Sequence, residues 1–133
     1  MVVKFNVKKD VLLGAVRKAA GSWIRTKEMA LSVKSDGQGN YKVCVQSNGL
    51  YVAGCTFPAA PVGAEGEITV VVSEMFLGAV NALASLDADE FSIEIKEDRV
   101  IVALGTGEVE VPVIKEPKTS FELPGMYPLG ALR

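Results

Sequence analysis

The chain contains an internal repeat. Residues 10–16 read DVLLGAV, and residues 74–80, sixty-four positions later, read EMFLGAV, so each copy begins with an acidic residue and ends in LGAV. Each copy follows a β-like run and precedes three more. Self-similarity at a fixed spacing indicates a structural unit that is used twice. The repeat therefore predicts two tandem β-α-β-β-β units and an α+β fold class.

The first unit, residues 1–57, has the periodicity of a strand, a helix and three further strands. Residues 2–7, VVKFNV, alternate between apolar and polar positions as a strand does. The sequence then predicts a helix from Lys9 or Asp10 to about Ile24, and strands at about 29–35, 41–47 and 50–57. Helical spacing places one set of apolar side chains on a common face: Leu12, Val16, Ala19, Ala20 and Trp23.

Residues 65–113 repeat this order after a connector at 58–64, for which prolines and a glycine predict no regular structure. The elements predicted for this second unit are strand 66–72, a helix to about Ser85, and strands 91–96, 99–104 and 107–113. Ser73 is a favourable N-cap residue, and Phe76, Val80 and Leu83 of the helix are expected to face inward.

The second unit is predicted to end at the edge of a sheet. Proline has no backbone N–H to donate to a neighbouring strand, so Pro112 places the last strand at a sheet edge. The tail, residues 114–133, contains three more prolines and is predicted to cross a surface in extended form.

The composition indicates one globular domain and gives no sign of a catalytic centre. A length of 133 residues predicts a single domain, residues 1–133, that needs no disulfide or metal to fold. The net charge of −2 means that any attraction to phosphate has to be local. The sequence has no histidine, which is the commonest general base. We therefore expect no enzymatic activity and no metal or other cofactor.

The cysteines and the apolar segments favour a cytoplasmic protein. Asn48-Gly49 is a strong signal for a two-residue hairpin turn, which would pair position 44 with position 53 and leave Cys55 diagonal to Cys44. A diagonal pair is usually too far apart for a disulfide, so both thiols are expected to be reduced. No stretch approaches the roughly 18 consecutive apolar residues of a membrane span, and the N-terminus is not expected to be a secretion signal.

A tandem β-α-β-β-β unit with both helices on one face of antiparallel sheets resembles the domain of DNA sliding clamps. That family includes the beta subunit of bacterial DNA polymerase III and proliferating cell nuclear antigen. The resemblance covers about residues 1–128. Three segments are similar to the bacterial beta subunit, at its start, at the entry to its second helix and where the chain leaves its first domain: MVVKFNVKKDVLLGAVRKAAG, EGEITVVVSEMFLGAVNAL and SFELPGMYP.

The resemblance implies a non-enzymatic processivity factor that encircles duplex DNA. Such a protein contacts the DNA backbone without reading sequence, associates with itself into a ring, and tethers a DNA polymerase after a clamp loader places it. Chains of that family carry two or three such domains, and their closed rings contain six domains, whereas this chain carries one domain. Six copies would then complete a ring of the usual size. Two alternatives stay open: one domain of a longer clamp, or an interaction adaptor on the same fold that does not encircle DNA.

The resemblance also implies which residues face the DNA, because helices line the hole of a clamp. On the first helix Asp10, Gly14, Arg17, Lys18, Gly21 and Arg25 follow one solvent stripe opposite the apolar one. The implied DNA-facing residues are Arg17, Lys18, Arg25 and Lys27, the last two at the position of a basic loop in the bacterial beta subunit. The second helix offers Glu74, Gly78, Asn81 and Ser85, with Ala82 opposite Lys18, and no cation. A solvated helix face that merely carries charge is the alternative.

Clamp domains join by pairing edge strands, a form of strand addition. The implied subunit interface is Thr106, Gly107, Glu108, Val109, Glu110 and Val111, with 50–57 as its complement. The alternative is an edge that Pro112 and the glutamates protect against aggregation. In the tail, Met126, Tyr127 and Leu129 are candidates for a partner site or for contact with a neighbouring subunit. The alternative for these three is packing against their own domain.

Overall fold

The computed structural model describes residues 2–21, 27–48, 52–63 and 66–117. The elements, in chain order, are β1 (Val3–Lys8), α1 (Lys9–Ala20), β2 (Glu28–Ser35), β3 (Tyr41–Asn48), β4 (Val52–Pro61), β5 (Ile68–Ser73), α2 (Met75–Leu83), β6 (Glu90–Ile95), β7 (Arg99–Leu104) and β8 (Gly107–Pro112). A strand, a helix and three strands therefore occur twice, which confirms the predicted α+β class.

The strands form one antiparallel sheet in which the two units exchange partners. Its order is β5-β2-β3-β4-β1-β6-β7-β8. The first strand of each unit pairs with the second strand of the other, β1 with β6 and β5 with β2. Each strand of the first unit can be exchanged with its counterpart in the second: β1 with β5, β2 with β6, β3 with β7 and β4 with β8. The strand order, read cyclically, is then the same as before. The two halves are therefore related by an approximate twofold axis, and each completes the sheet of the other.

Two joints connect the four-stranded halves of this sheet. At the first joint β4 reaches β1 only near its end, where Asn6 is opposite Ala60 and Phe5 is opposite Pro61. At the second joint, a bridge joins Val72 of β5 to Val113, just beyond β8. Within the described residues, the unpaired stretches of strand edge include residues 52–59 of β4 on the side of β1, the outer side of β8, and the outer side of β5 before Val71.

One core, built from both halves, lies between the sheet and the two helices. On β6, the buried residues Phe91, Ile93 and Ile95 alternate with more exposed ones, whereas the central strand β2 is buried on both faces from Glu28 to Val33. Each helix supplies four buried side chains: Leu12, Ala15, Val16 and Ala19 from α1, and Phe76, Ala79, Val80 and Leu83 from α2. Burial of one large apolar side chain contributes roughly 1.5–3 kcal/mol, so both helices are fixed to the sheet mainly by packing.

The last strand lies at the edge, as Pro112 predicts. Val113 N–H donates to Asp98 O at 3.0 Å. Backbone N–H groups alternate between the two sides of a strand, so the nitrogen of Pro112 points away from β7, to the outer side of the sheet. A residue without an N–H removes no hydrogen bond there.

The strand β4 is longer than predicted, and the connector is shorter. The sequence predicts no regular structure from residue 58, whereas β4 continues to Pro61. Val62 N–H donates to Lys4 O at 2.9 Å, so it points toward β1. Because N–H directions alternate along a strand, the nitrogen of Pro58 also points toward β1. The pairing of β4 with β1 begins only at Ala60, so Pro58 has no partner strand on that side. The nitrogen of Pro61 points toward β3, whose pairing ends at Ala59. Neither proline removes a ladder hydrogen bond, so both are tolerated.

Three local predictions also need correction. Asn48 is opposite Val52, so residues 49–51 connect β3 and β4 and the predicted two-residue turn is wrong; Cys44 is opposite Thr56 instead of position 53. The α1 helix ends at Ala20, where Gly21 N–H donates to Arg17 O at 3.1 Å, and not at residue 24. The N-cap of α2 is Glu74, although the Ser73 hydroxyl accepts the N–H of Met75 at 3.2 Å.

Candidate nucleic-acid interface

The helices α1 and α2 lie side by side and antiparallel. The Lys9 ammonium, at the start of α1, donates to Ala84 O at 3.2 Å and to Leu86 O at 3.0 Å, just past the end of α2. At the other end, the Lys27 ammonium lies 3.4 Å from the Glu74 carboxylate, which precedes α2. Cationic groups near a helix C-terminus are favourable, so Lys9 also helps to end α2.

The helices have the same burial pattern at equivalent positions. From residue 10 to 21 and from residue 74 to 85, every residue has the same burial class as its counterpart sixty-four positions away. Six counterpart pairs are exposed to solvent: Asp10 and Glu74, Val11 and Met75, Gly14 and Gly78, Arg17 and Asn81, Lys18 and Ala82, and Gly21 and Ser85. We call the exposed surface formed by these twelve residues the paired-helix face.

The predicted DNA-facing residues are on or beside this face where the structure describes them. Arg17 and Lys18 are exposed on α1, as the helical spacing predicts. Lys27 is exposed just before β2, and its ion pair with Glu74 neutralises part of its charge. Arg25 lies outside the described residues, as does Trp23. Contact of these side chains with DNA stays a prediction.

Arg17 makes a contact that the sequence analysis does not predict. Its Nε and Nη2 donate to Asn81 Oδ1 at 3.2 and 3.0 Å. Arg17 and Asn81 are counterparts in the repeat, so this contact joins the two helices across the approximate twofold axis. The only sequence signal for the pair is the spacing of sixty-four residues, which says that the positions are equivalent but not that they meet.

The predicted subunit interface occupies an open edge of the sheet. Gly107 to Val111 lie on β8, and Thr106 is in the turn before it. Glu108 and Glu110 are exposed on the side of the sheet away from the helices, and Glu110 lies 3.6 Å from Arg99 Nε. Val111 is fully buried, so its side chain belongs to the core of its own chain and is not available to a partner.

Gly107 has a packing role of its own. A Cβ at this position would lie 2.6 Å from both Leu83 Cδ2 and Leu86 Cδ1. The end of α2 therefore packs against the start of β8, and any larger side chain at position 107 would require both leucine side chains to move.

The predicted complement, residues 50–57, overlaps the open part of β4. On the outer side of the sheet Lys42 is opposite Pro58 and Lys34 is opposite Lys42, so a row of two lysines leads to this edge. The open edges of β8 and β4 therefore differ in charge, with glutamates at β8 and lysines beside β4. The tail residues Met126, Tyr127 and Leu129 lie outside the described residues.

The described part of the chain has neither a metal-binding cluster nor a membrane-spanning helix. Residues 2–21, 27–48, 52–63 and 66–117 contain no group of three or more His, Cys, Asp or Glu side chains that could hold a metal ion. The same residues contain no helix that is both long and apolar enough to cross a membrane.

Solved structures of bacterial sliding clamps share this fold. The beta sliding clamp of C. crescentus matches with a TM-score of 0.69 and 16% identity, over 92% of this chain and 32% of the clamp chain. The sliding clamp (DNA polymerase III subunit beta) of Pseudomonas aeruginosa matches with a TM-score of 0.67 and 17% identity, over 96% of this chain and 34% of that one. The DNA polymerase III beta subunit of Thermotoga maritima matches with a TM-score of 0.63 and 15% identity, over 92% of this chain and 33% of that one.

The chain therefore has the fold of a sliding-clamp domain, as its resemblance to the family implies. It spans about a third of the length of the solved clamps that it matches. No family model matches the sequence, and no curated protein sequence matches it.

Proposed function

We propose that this chain is a subunit of a DNA sliding clamp that closes into a ring around duplex DNA and tethers a DNA polymerase. The observation that carries the proposal is the paired-helix face, on which α1 presents Arg17 and Lys18 to solvent. The likeness to solved clamps supports the same conclusion. Such a subunit is a non-enzymatic scaffold and works in the cytoplasm, where a clamp loader places the assembled ring on DNA; separate subunits can also assemble around DNA as the ring closes.

In this proposal retention comes from enclosure, and the helices supply only weak contacts. The cations of α1 contact phosphates, which carry no base identity, so the ring can slide along any sequence. Each neutralised phosphate releases counterions and makes binding weaker as salt rises. Arg17 and Lys18 supply most of this attraction, with Arg25 beside them, whereas Lys27 supplies less because Glu74 lies 3.4 Å away.

Ring closure in this proposal joins β8 of one subunit to the open edge of β4 in the next. Addition of a strand supplies backbone hydrogen bonds, and the two prolines nearest these edges, Pro58 and Pro112, limit its length. The glutamates of β8 approach the lysine row that ends at Lys42. Two β8 edges would bring glutamates together, so charge favours a head-to-tail contact, which generates rings.

Retention on circular DNA tests the proposal. The protein is mixed with nicked circular duplex, the salt is raised, and one half of the sample is linearised with a restriction enzyme. A ring stays on the circle at a salt concentration that disrupts backbone contacts, and leaves the linear DNA by sliding off its ends. Equal loss from circular and linear DNA would contradict enclosure.

The second candidate is an adaptor that keeps the fold without encircling DNA. The observation in its favour is α2, whose exposed positions include Glu74, Asn81 and Ala82 but no cation. Charge reversal at Arg17, Lys18 and Arg25 separates the two: a clamp loses DNA retention, whereas an adaptor keeps its protein partner. A chain that is one domain of a longer clamp would keep the DNA contacts but would not need six copies to close.

A further inference from the structure

The contact between Arg17 and Asn81 gives α2 a role on the paired-helix face although α2 carries no cation there. One amide oxygen accepts two N–H groups of the guanidinium, at 3.2 and 3.0 Å. Arginine has five N–H donors in a planar fork, so three of them stay available on the side away from Asn81. Arg17 is exposed, so an anion can reach these donors from solvent.

The neighbouring cation does not receive the same support from its counterpart. Lys18 is also exposed on α1, but its counterpart on α2 is Ala82, which has no acceptor to hold the ammonium. A long side chain that is not held in place loses rotamer freedom when it binds a phosphate, which lowers the affinity. A guanidinium that is already held in place loses less, and its fork suits the bidentate geometry of a phosphate.

We propose that Asn81 is a positioning residue that holds Arg17 as a preformed phosphate-binding group at the boundary between the helices. The inference rests on the proposed DNA-binding function and makes it more specific. Each subunit then has one supported phosphate contact at the approximate twofold axis, to which both helices contribute. Lys18 adds charge beside this contact.

The test measures fluorescence anisotropy of a labelled, mixed-sequence duplex DNA with the full chain at several low salt concentrations. The variants are Asn81→Ala, Arg17→Ala, the double variant, and the exchange Arg17→Asn with Asn81→Arg. Gln38→Ala is the matched control, because it removes a side-chain amide from an exposed turn between β2 and β3. Urea unfolding of every variant shows whether the fold is intact.

We expect Asn81→Ala to weaken DNA binding about two- to tenfold, although it removes no charge. The slope of log affinity against log salt should stay that of the unmodified chain, because the number of phosphate contacts is unchanged. Arg17→Ala should weaken binding and reduce the slope by about 0.9. In the Arg17→Ala background, Asn81→Ala should have no further effect. The exchanged pair should bind nearly as well as the original, and Gln38→Ala should bind unchanged.

Three results would overturn the inference in distinguishable ways. If Asn81→Ala binds normally while Arg17→Ala does not, Arg17 contacts DNA without help from α2. If Asn81→Ala has the same effect with and without Arg17, Asn81 acts by another route. If the unmodified chain binds no duplex even at the lowest salt, the proposed function fails together with this inference.

Discussion

The two helices share a buried apolar face but differ in charge at two solvent-exposed positions. Over twelve equivalent positions the burial classes are identical, and Leu12 corresponds to Phe76 as Val16 corresponds to Val80. On the exposed side, Arg17 and Lys18 correspond to Asn81 and Ala82. Packing requires apolar side chains at the buried positions of both helices, but it does not constrain the charge at the exposed positions. Folding therefore does not account for positive charge on α1 alone, whereas the proposed contact with DNA would account for it.

Substitution of the buried counterparts Leu12 and Phe76 should have the largest effect, and that effect is on the free energy of unfolding. Phe76→Ala is expected to lower the free energy of unfolding by about 3–5 kcal/mol, and Leu12→Ala by about 2–5 kcal/mol, because each leaves a cavity in the common core. Urea denaturation measures both. Met75→Ala is the control, because its side chain is 52% exposed. A cost below about 1 kcal/mol for Phe76→Ala would mean that α2 is not packed as described.

Charge reversal on α1 should have the largest effect on DNA affinity. Arg17→Glu combined with Lys18→Glu is expected to weaken binding about 100-fold or more at low salt, because two phosphate contacts become repulsive. Anisotropy of a labelled duplex measures the loss. The matched control is Lys96→Glu with Lys115→Glu, which makes the same change in net charge outside the paired-helix face and should weaken DNA binding much less. Equal loss in both variants would show that only the overall charge matters.

Helix α2 can be given the cation that α1 carries at the equivalent position. Ala82→Lys copies Lys18 onto α2 and should steepen the salt dependence of DNA binding by about 0.9, with an affinity gain of about tenfold at low salt. Ala82 is exposed and lysine is a good helix former, so stability should not change. An unchanged salt slope would indicate that α2 does not face the DNA.

The equivalent glycines of the two helices should respond equally and weakly. A Cβ at Gly14 or Gly78 would meet nothing within 4 Å, so alanine at either position is expected to stabilise the fold by about 0.4–1 kcal/mol. Thermal or urea unfolding detects the change. Gly107→Ala is the contrast and should destabilise, since Leu83 and Leu86 occupy the space. Destabilisation by Gly14→Ala would show that α1 has a neighbour that the fold does not explain.

Periodicity predicts the elements of this fold better than their partners. The alternation of β6 and the spacing of α1 are local properties of the sequence, and both are confirmed. The exchange of strands between units is not local, because β1 pairs with a strand more than eighty residues away. The length of β4 depends on the direction in which the nitrogens of Pro58 and Pro61 point. That direction is harmless only because of where the pairing of β4 with β1 and β3 begins and ends. The sequence identifies Asn81 only as an uncharged position, because its contact with the Arg17 guanidinium depends on how the two helices pack.

The mass of the assembled protein tests the central claim most directly. Light scattering over a wide concentration range would follow the full chain of 14.1 kDa. Self-assembly into a ring predicts a mass that rises with concentration to one limiting multiple of the chain, six copies for a ring of the usual size. Glu108→Lys with Glu110→Lys should shift this rise to higher concentration, whereas the helix variant Asp10→Lys should not. A mass of one chain at every concentration would contradict a clamp built from this chain alone.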